Sequence, residues 1–406
     1  MHEGVRGHII VYLYNLMIGI FNDNFPPVLD GVAITAHNYA YWLKESGHDV
    51  TVVTPYAPNM GEVMEAAAYP IYRYFSIPIP FRPPYRYGIP YIDMSFMRQW
   101  RKMSFDLIHA HCPFTTGTLA CQMSKRQQIP LVATFHSKYR QDFEQKVRSK
   151  VVVDWMMKKV INFYNQADEV WIPLPAVEET LREYGYKGHV EVVENGNDFF
   201  ARKAQVAVMR GAMREELGMM PYETMLLYVG QHIWEKNIKF ILESLALIKD
   251  KPFHFFMVGT GYAVHDIRKI IECLGLSHRV TLLGSIQDRE RLKRVYAAAD
   301  LFLFPSLYDT CGLVVRESAA MHTPSILLRE STAATAITDG ENGFLTNNDP
   351  MDFAQQIAYL MGHPEELRRV GERASKTISR SWESVIEEVA LRYRDLKESY
   401  RFKHGK

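Results

Sequence analysis

The chain has 406 residues, 47% apolar and 23% charged, with a formal net charge of +1. That length ordinarily divides into two domains or more, and the apolar fraction excludes a disordered chain. Cys112, Cys121, Cys273 and Cys311 lie far apart with no C-x-x-C pair. They offer neither a disulfide framework nor a zinc signature and fit a reducing compartment. Near-neutrality argues against a wholesale nucleic-acid binder unless the charge is segregated.

Residues 8–21 are apolar but include Asn15, and no small-residue cleavage site precedes Asn22-Asp23. This is not the pattern of a secretory signal. It is also too short to span a bilayer, and no run of about 18 apolar residues occurs elsewhere. The expectation is a soluble, cytoplasmic chain whose membrane contact is peripheral.

In chain order, short β-rich runs alternate with helical patterns. Strands are expected at 14–21, 49–54, 106–111, 131–135, 169–172 and 190–193. Several are apolar on both faces, as in a covered parallel sheet. Residues 32–45 form an amphipathic helix ending at Gly47. The alternation implies βαβ units and a doubly wound sheet. After Asn195-Gly196 the pattern restarts. A polar stretch at 201–222, rich in Arg, Met and Gly, precedes strands at 225–229, 253–258, 280–283, 301–304 and 325–328. Helices intervene, among them 265–274 and 289–299. The chain therefore reads as two α/β domains with a boundary near 198–222. Residues 382–400 place Trp382, Val385, Ile386, Val389, Tyr393 and Leu396 at helical spacing. With no strand after it, this helix must dock on an existing surface.

Several motifs are absent. There is no G-x-x-x-x-G-K-S/T, and the first strand leads into Asn22-Asp23-Asn24-Phe25-Pro26-Pro27 rather than G-x-G-x-x-G. That argues against a dinucleotide-dependent dehydrogenase. No G-x-S-x-G hydrolase elbow and no D-x-D pair occur. The strongest signal is the segment 305–317, Pro305-Ser306-Leu307-Tyr308-Asp309-Thr310-Cys311-Gly312-Leu313-Val314-Val315-Arg316-Glu317. Gly312 permits a tight turn, and a helix starting near Leu313 offers free N–H groups to a diphosphate. Glu317, about one turn on, suits a ribose diol. Taken alone, the segment equally fits an ordinary strand–loop–helix with a solvated glutamate.

In context the chain resembles the retaining glycosyltransferases of family 4. Their hallmark is two glutamates separated by seven residues, matched here by Asp309 and Glu317 with Pro305-Ser306, Gly312-Leu313 and Pro324 around them. Tyr228-Val229-Gly230, Glu235-Lys236-Asn237, Val258-Gly259-Thr260-Gly261, Leu283-Gly284 and Ala299-Asp300 match in the second half. Phe21-Asn22-Asp23, Pro26-Pro27, Gly31-Val32, Gly47-His48, His109-Ala110-His111 and Asn195-Gly196 match in the first, and Trp382-Glu383 matches the terminal helix. The resemblance implies a GT-B fold: two Rossmann-like domains facing across a cleft, with a C-terminal helix crossing back. Residues 1–200, completed by 382–406, would be the acceptor domain and 201–381 the donor domain.

The resemblance also implies roles. Lys236 would neutralise the donor diphosphate. Asp309 and the amides of Cys311 and Gly312 would grip the transferred sugar. The amides of Leu313 and Val314 would complete the phosphate site, and Glu317 would hold the ribose. Gly31 would let a first-domain loop approach the phosphate. His111 would lie near the sugar's C6 side, and Gly259 and Ser285 near the nucleotide. Two departures stand out. Gln231 replaces the family's usual arginine, leaving His232 or another basic residue to compensate. Asp309 is one methylene shorter than glutamate. Of the neighbouring histidines, His109 reads as a satisfied core residue. His136 ends a strand at the same sheet edge as His111, where either function or structure is open.

The charge is segregated after all. Residues 73–159 carry 15 Lys/Arg against 5 Asp/Glu, a net of +10 between acidic flanks. Aromatics interleave with the basic residues, and Lys138, Arg140 and Trp155 form part of this stretch. Such a pattern suits an anionic membrane surface, although a solvated face is the ordinary alternative and no RNA module is visible. Lipid-glycosylating members of the family resemble this chain. The expectation is a retaining, metal-independent hexosyltransferase without a cofactor, using a nucleotide sugar such as a UDP-hexose. Its acceptor would be a diacylglycerol- or ceramide-type lipid at the inner face of the membrane, with His136, Lys138, Arg140 and Trp155 on the acceptor or membrane side. The alternatives are a soluble acceptor, a non-catalytic nucleotide-sugar binder, and a GT-B phosphorylase or epimerase.

Overall fold

The computed structural model describes residues 15–405 apart from 29, 81–83, 145, 200 and 310–311 and the side chain of residue 63. It divides into two units, Met1–Asn195 with Trp382–Lys406, and Gly196–Ser381.

The first unit contains β1 (Met17–Phe21), β2 (Asp49–Pro55), β3 (Ile71–Tyr74), β4 (Ser76–Pro78), β5 (Arg86–Gly88), β6 (Leu107–Ala110), β7 (Leu131–Thr134), β8 (Glu169–Ile172) and β9 (Glu191–Val192). Seven of these form one parallel sheet in the order β3-β2-β1-β6-β7-β8-β9, while β4 and β5 pair as a separate antiparallel hairpin. The central strands β6 and β7 are buried along their whole length, which is why they read as continuous apolar runs rather than alternating ones. The helix Gly31–Glu45 buries Ala33, Ala36, Tyr39, Ala40 and Leu43 on one stripe. The terminal helix Trp382–Lys403 buries the six residues expected from its spacing, and it packs in the same apolar layer of this unit. The strand at 71–74 and the hairpin were not legible in the sequence. They are short, and the hairpin leaves Ile77 and Tyr87 exposed, so no inward-facing period marks it. Tyr14, the start of the first expected strand, lies outside the described residues.

The second unit has six parallel strands: β10 (Thr224–Val229), β11 (Phe253–Val258), β12 (Val280–Gly284), β13 (Leu301–Phe304), β14 (Ser325–Leu328) and β15 (Phe344–Thr346). Their order is β12-β11-β10-β13-β14-β15. The polar stretch at 201–222, near which the boundary was expected, contains a 14-residue helix, Lys203–Glu216. Its arginines are spent on tertiary contacts. Arg210 pairs with Asp300, and Arg214 reaches the other oxygen of the same carboxylate at 3.0 Å. Val206 and Met213 enter the core. The unit changes at Asn195/Gly196, ahead of that helix.

Candidate active site

In open parallel sheets, ligand sites form beyond the carboxyl ends of the strands where the strand order reverses. In the second unit that point lies between β10 and β13. The loop after β10 carries Gly230, Gln231, His232 and a 3₁₀ turn, Trp234–Lys236. The loop after β13 runs from Pro305 to Gly312, and Asn237 Nδ2 donates to Pro305 O at 3.2 Å, tying the two together. Gly259, after β11, has φ +134°, and a Cβ there would lie 1.9 Å from Gly230 O. Only glycine allows these loops to touch. Gly312 has φ +58° and begins the helix Leu313–Ala320. The first N–H groups of that helix, those of half-buried Leu313 and Val314, have no carbonyl within it to bond. Ser285 is exposed just past β12. Cys311 lies outside the described residues.

Lys236 and Asp309 are brought together, but as each other's partners. The ammonium pairs with Asp309 Oδ2, while Oδ1 accepts from Gly312 N–H at 3.2 Å. Lys236 Nζ also lies 5.5 Å from the Tyr308 ring centroid. A donor diphosphate would therefore compete with Asp309 for this cation. Glu317 is similarly engaged. Its Oε1 accepts from Arg289 at 2.9 Å and its Oε2 from the Tyr296 hydroxyl at 2.9 Å. Burial pushes its carboxyl up, against the opposing pull of Arg289. Each carboxylate oxygen keeps a second acceptor position for a diol. Arg289 also holds Asp198 at 2.5 Å and lies 4.2 Å over the Phe199 ring.

Arg289, Tyr296 and Asp198 were missed in the sequence. The one available signal was the seven-residue spacing of Arg289 and Tyr296, which puts both on one helix face. The departure at Gln231 is not repaired by its neighbour. His232 is fully buried and burial pushes its pKa down to about 4, so it is uncharged at neutral pH. Gln231 itself is exposed, and its carbonyl accepts from the Tyr228 hydroxyl at 2.9 Å.

In the first unit the strand order reverses between β1 and β6. Gly31 is the first residue of its helix, which Asp30 caps by accepting from Ala33 N–H at 2.7 Å. His109 is a satisfied core residue, with its nitrogens 2.6 Å from Tyr393 Oη and 2.6 Å from Thr134 Oγ1. His111 Nδ1 lies 2.9 Å from His136 Nε2, while its Nε2 is buried without a partner. Burial lowers both pKa values, that of His136 to about 3, so the pair is neutral. His136, expected on the acceptor or membrane side, is buried beside His111 rather than exposed on a surface. Arg140 forms ion pairs with Glu144 and Asp154, and Lys138 is only half-buried.

The helix Lys150–Tyr164 buries Val153, Met157, Val160 and Ile161 yet exposes Val151 (79%), Val152 and Trp155 (56%) among Lys150, Lys158 and Lys159. Lys159 Nζ lies 4.2 Å over the Trp155 ring. Phe75, Ile77, Tyr87, Tyr91, Ile92 and Met94 are exposed around the β4–β5 hairpin. Among the described residues, no three His, Cys, Asp or Glu side chains gather as a metal ion would need.

A family model described as Glycosyltransferase Family 4 matches residues 29–199, and one described as Glycosyl transferases group 1 matches residues 223–363. The chain belongs to the family 4 glycosyltransferases. This glycosyltransferase is 24% identical over 371 residues to the alpha-monoglucosyldiacylglycerol synthase of Acholeplasma laidlawii, covering 88% of this chain and 92% of that enzyme. It is 28% identical over 313 residues to a D-inositol 3-phosphate glycosyltransferase of Nocardia farcinica, covering 71% of this chain and 66% of that one. Its fold is GT-B. Similar solved structures include Anabaena HepE with UDP and glucose (TM-score 0.75, 17% identity, 93% of this chain and 99% of that one). Another is the sucrose-phosphate synthase of Thermosynechococcus elongatus (TM-score 0.79, 22% identity, 94% and 99%).

Proposed function

We propose that this glycosyltransferase moves a hexose from a nucleotide diphosphate sugar, a UDP-hexose, to a hydroxyl of a diacylglycerol- or ceramide-type membrane lipid, with retention and without a metal or cofactor. The observation that carries the donor half is the convergence at the β10/β13 edge. It places one ammonium (Lys236), one helix start (Leu313 and Val314) and one largely buried carboxylate (Glu317) on the loops and helix around a single switch point. These are the groups a diphosphate and a ribose require.

In this reading the acceptor oxygen forms its bond to the anomeric carbon on the face from which the diphosphate leaves. The departing diphosphate oxygen takes the acceptor proton. Lys236 and the helix amides offset the charge that builds on the leaving group, the term that usually dominates such catalysis. Asp309 exchanges Lys236 for the sugar.

The acceptor half rests on the first unit. Its exposed apolar and aromatic side chains stand among lysines, as in segments that lie on anionic lipid. A relative named for a glycolipid product, the alpha-monoglucosyldiacylglycerol synthase, matches along most of the chain. No helix among the described residues is long and apolar enough to cross a membrane, and attachment is proposed to be peripheral, at the inner face. A soluble acceptor is the second reading, favoured by the inositol phosphate relative.

The test is a donor panel offered to a lipid extract and, separately, to water-soluble sugars and inositol 3-phosphate, with and without a chelator, with product mass and anomeric configuration read out. An inverted product, chelator-sensitive turnover, or product only from water-soluble acceptors would each refute the corresponding part. Nucleotide-sugar binding with no product from any acceptor would favour the non-catalytic alternative.

A further inference from the structure

The first unit has its own switch point, between β1 and β6, and a carboxylate sits on it without a counter-ion. Asp23 lies two residues past the end of β1. Its Oδ1 accepts from Thr116 N–H at 3.1 Å, in the first turn of the helix Thr115–Gln127. Its Oδ2 is out of solvent and has no partner. No lysine, arginine or histidine among the described residues pairs with it. The ionisable groups that feel its charge are the Cys112 thiol, two residues past the end of β6, and the Tyr74 phenol at the end of β3. Burial is the main cause that pushes both of their pKa values up, and Asp23 adds to it. Two of the neighbouring groups are also buried without a hydrogen bond of ordinary geometry: Tyr74 Oη, and Thr116 Oγ1, whose hydroxyl lies near enough to Asp23 to help hold its carboxyl down. The Tyr74 ring is held against β5, where a Cβ on Gly88 would come within 2.3 Å of it.

Three buried polar atoms without a hydrogen bond of ordinary geometry on one sheet edge are a costly arrangement unless a ligand completes them. The chemistry restricts that ligand. An anion is repelled by a carboxylate that no cation offsets. A cation is disfavoured by the positive end of the helix that starts at Thr115. A hydrocarbon satisfies none of the three. A neutral group bearing hydroxyls both donates to Asp23 Oδ2 and exchanges hydrogen bonds with the Tyr74 and Thr116 hydroxyls.

We propose that Asp23, Tyr74 and Thr116 bind the hydroxyl-bearing part of the acceptor and select uncharged polyol acceptors, such as a glycerolipid headgroup, against phosphorylated ones. This rests on the reading of the first unit as the acceptor side. It sharpens that reading, because the two acceptor classes suggested by the relatives differ in this respect. The Asp23 carboxyl is pushed up to about 6 by burial, against the opposing pull of the Thr116 N–H. Acceptor binding should therefore weaken as pH falls through that value and the carboxylate takes up a proton.

The test compares dioleoylglycerol in mixed anionic vesicles with inositol 3-phosphate as acceptors. The chains are wild type, Asp23→Asn and Tyr74→Phe. Asparagine keeps an oxygen for Thr116 N–H but replaces the charged acceptor Oδ2 by an NH2 donor. The expected result is a wild-type preference for dioleoylglycerol and at least a tenfold rise in its KM in Asp23→Asn. Tyr74→Phe should show a smaller rise. Nucleotide affinity should be unchanged and the thermal midpoint should not fall. The wild-type KM should rise below pH 6, and that of Asp23→Asn should not. Should Asp23→Asn fail to fold, Tyr74→Phe and the wild-type pH profile decide. Transfer to dioleoylglycerol with an unaltered KM in both variants would overturn this inference alone, as would a preference for inositol 3-phosphate. Absence of transfer to any acceptor would overturn the proposed function and this inference together.

Discussion

Replacing Lys236 by alanine removes one cation with two separable duties. At rest it neutralises Asp309. The two side chains are only 14% and 20% exposed, so their pairing is poorly screened. Removing one partner of a buried pair costs about 3–5 kcal/mol. Gly312 N–H still bonds Asp309, which brings the expected loss of stability to about 1–3 kcal/mol. In the reaction, the same ammonium faces the charge that develops on the leaving diphosphate. Losing one such preorganised donor costs about 10²–10³ in kcat.

The double variant Lys236→Ala/Asp309→Asn separates the two duties, because it removes the orphaned charge without restoring the cation. Urea denaturation should show stability lost in Lys236→Ala and largely recovered in the double variant. Steady-state transfer should be lost in both. If the double variant regains wild-type kcat, or Lys236→Ala never loses it, Lys236 is only the counter-ion of Asp309 and its role in transfer is wrong.

Arg289 should matter to nucleotide binding without touching phosphate. Arg289→Gln leaves Glu317 largely buried with only Tyr296 as a partner, so its carboxyl should rise further. Calorimetry should then show nucleotide affinity falling about tenfold at pH 7 and recovering toward higher pH, with Arg289→Lys intermediate; a pH-independent loss would mean that Arg289 acts through packing alone.

For the membrane face, Val151→Ser/Trp155→Ser should weaken partition onto anionic vesicles about tenfold or more, from the apolar area no longer buried in lipid. Sedimentation at low and high salt would check it, and unchanged partition would assign lipid contact to the hairpin face instead.

His109, His111 and His136 all have lowered pKa values in the folded chain. The unfolded chain therefore binds more protons below pH 6.5, and stability is lost as pH falls from there. Asp23, shifted the other way, offsets part of that slope between about pH 6 and 4. Thermal melts from pH 7 to 5 should show a falling midpoint, less steep in His136→Asn; an equal slope would mean that His136 is not held neutral.

The sequence by itself determined the two-sheet α/β architecture, the terminal helix with its six buried positions, and the loops on which Lys236, Asp309, Gly312 and Glu317 stand. These are local properties. Strand runs, helical period and glycine turns are written in neighbouring residues, so they can be read without a partner in view. The same locality explains the errors. The helix within the polar stretch at 201–222 went unread because its arginines are satisfied by Asp300 and its Met213 by a distant core rather than by each other. His232 looked available as a cation until its burial was seen. Only the tertiary structure decided which charges meet: Lys236 with Asp309 across 73 positions, Arg289 with Asp198 and Glu317, and Asp23 with no cation among the described residues. Ionisation and pairing depend on desolvation and on approach within a few ångströms. Those are set by how the strand order brings remote loops to one edge, which a linear reading does not contain.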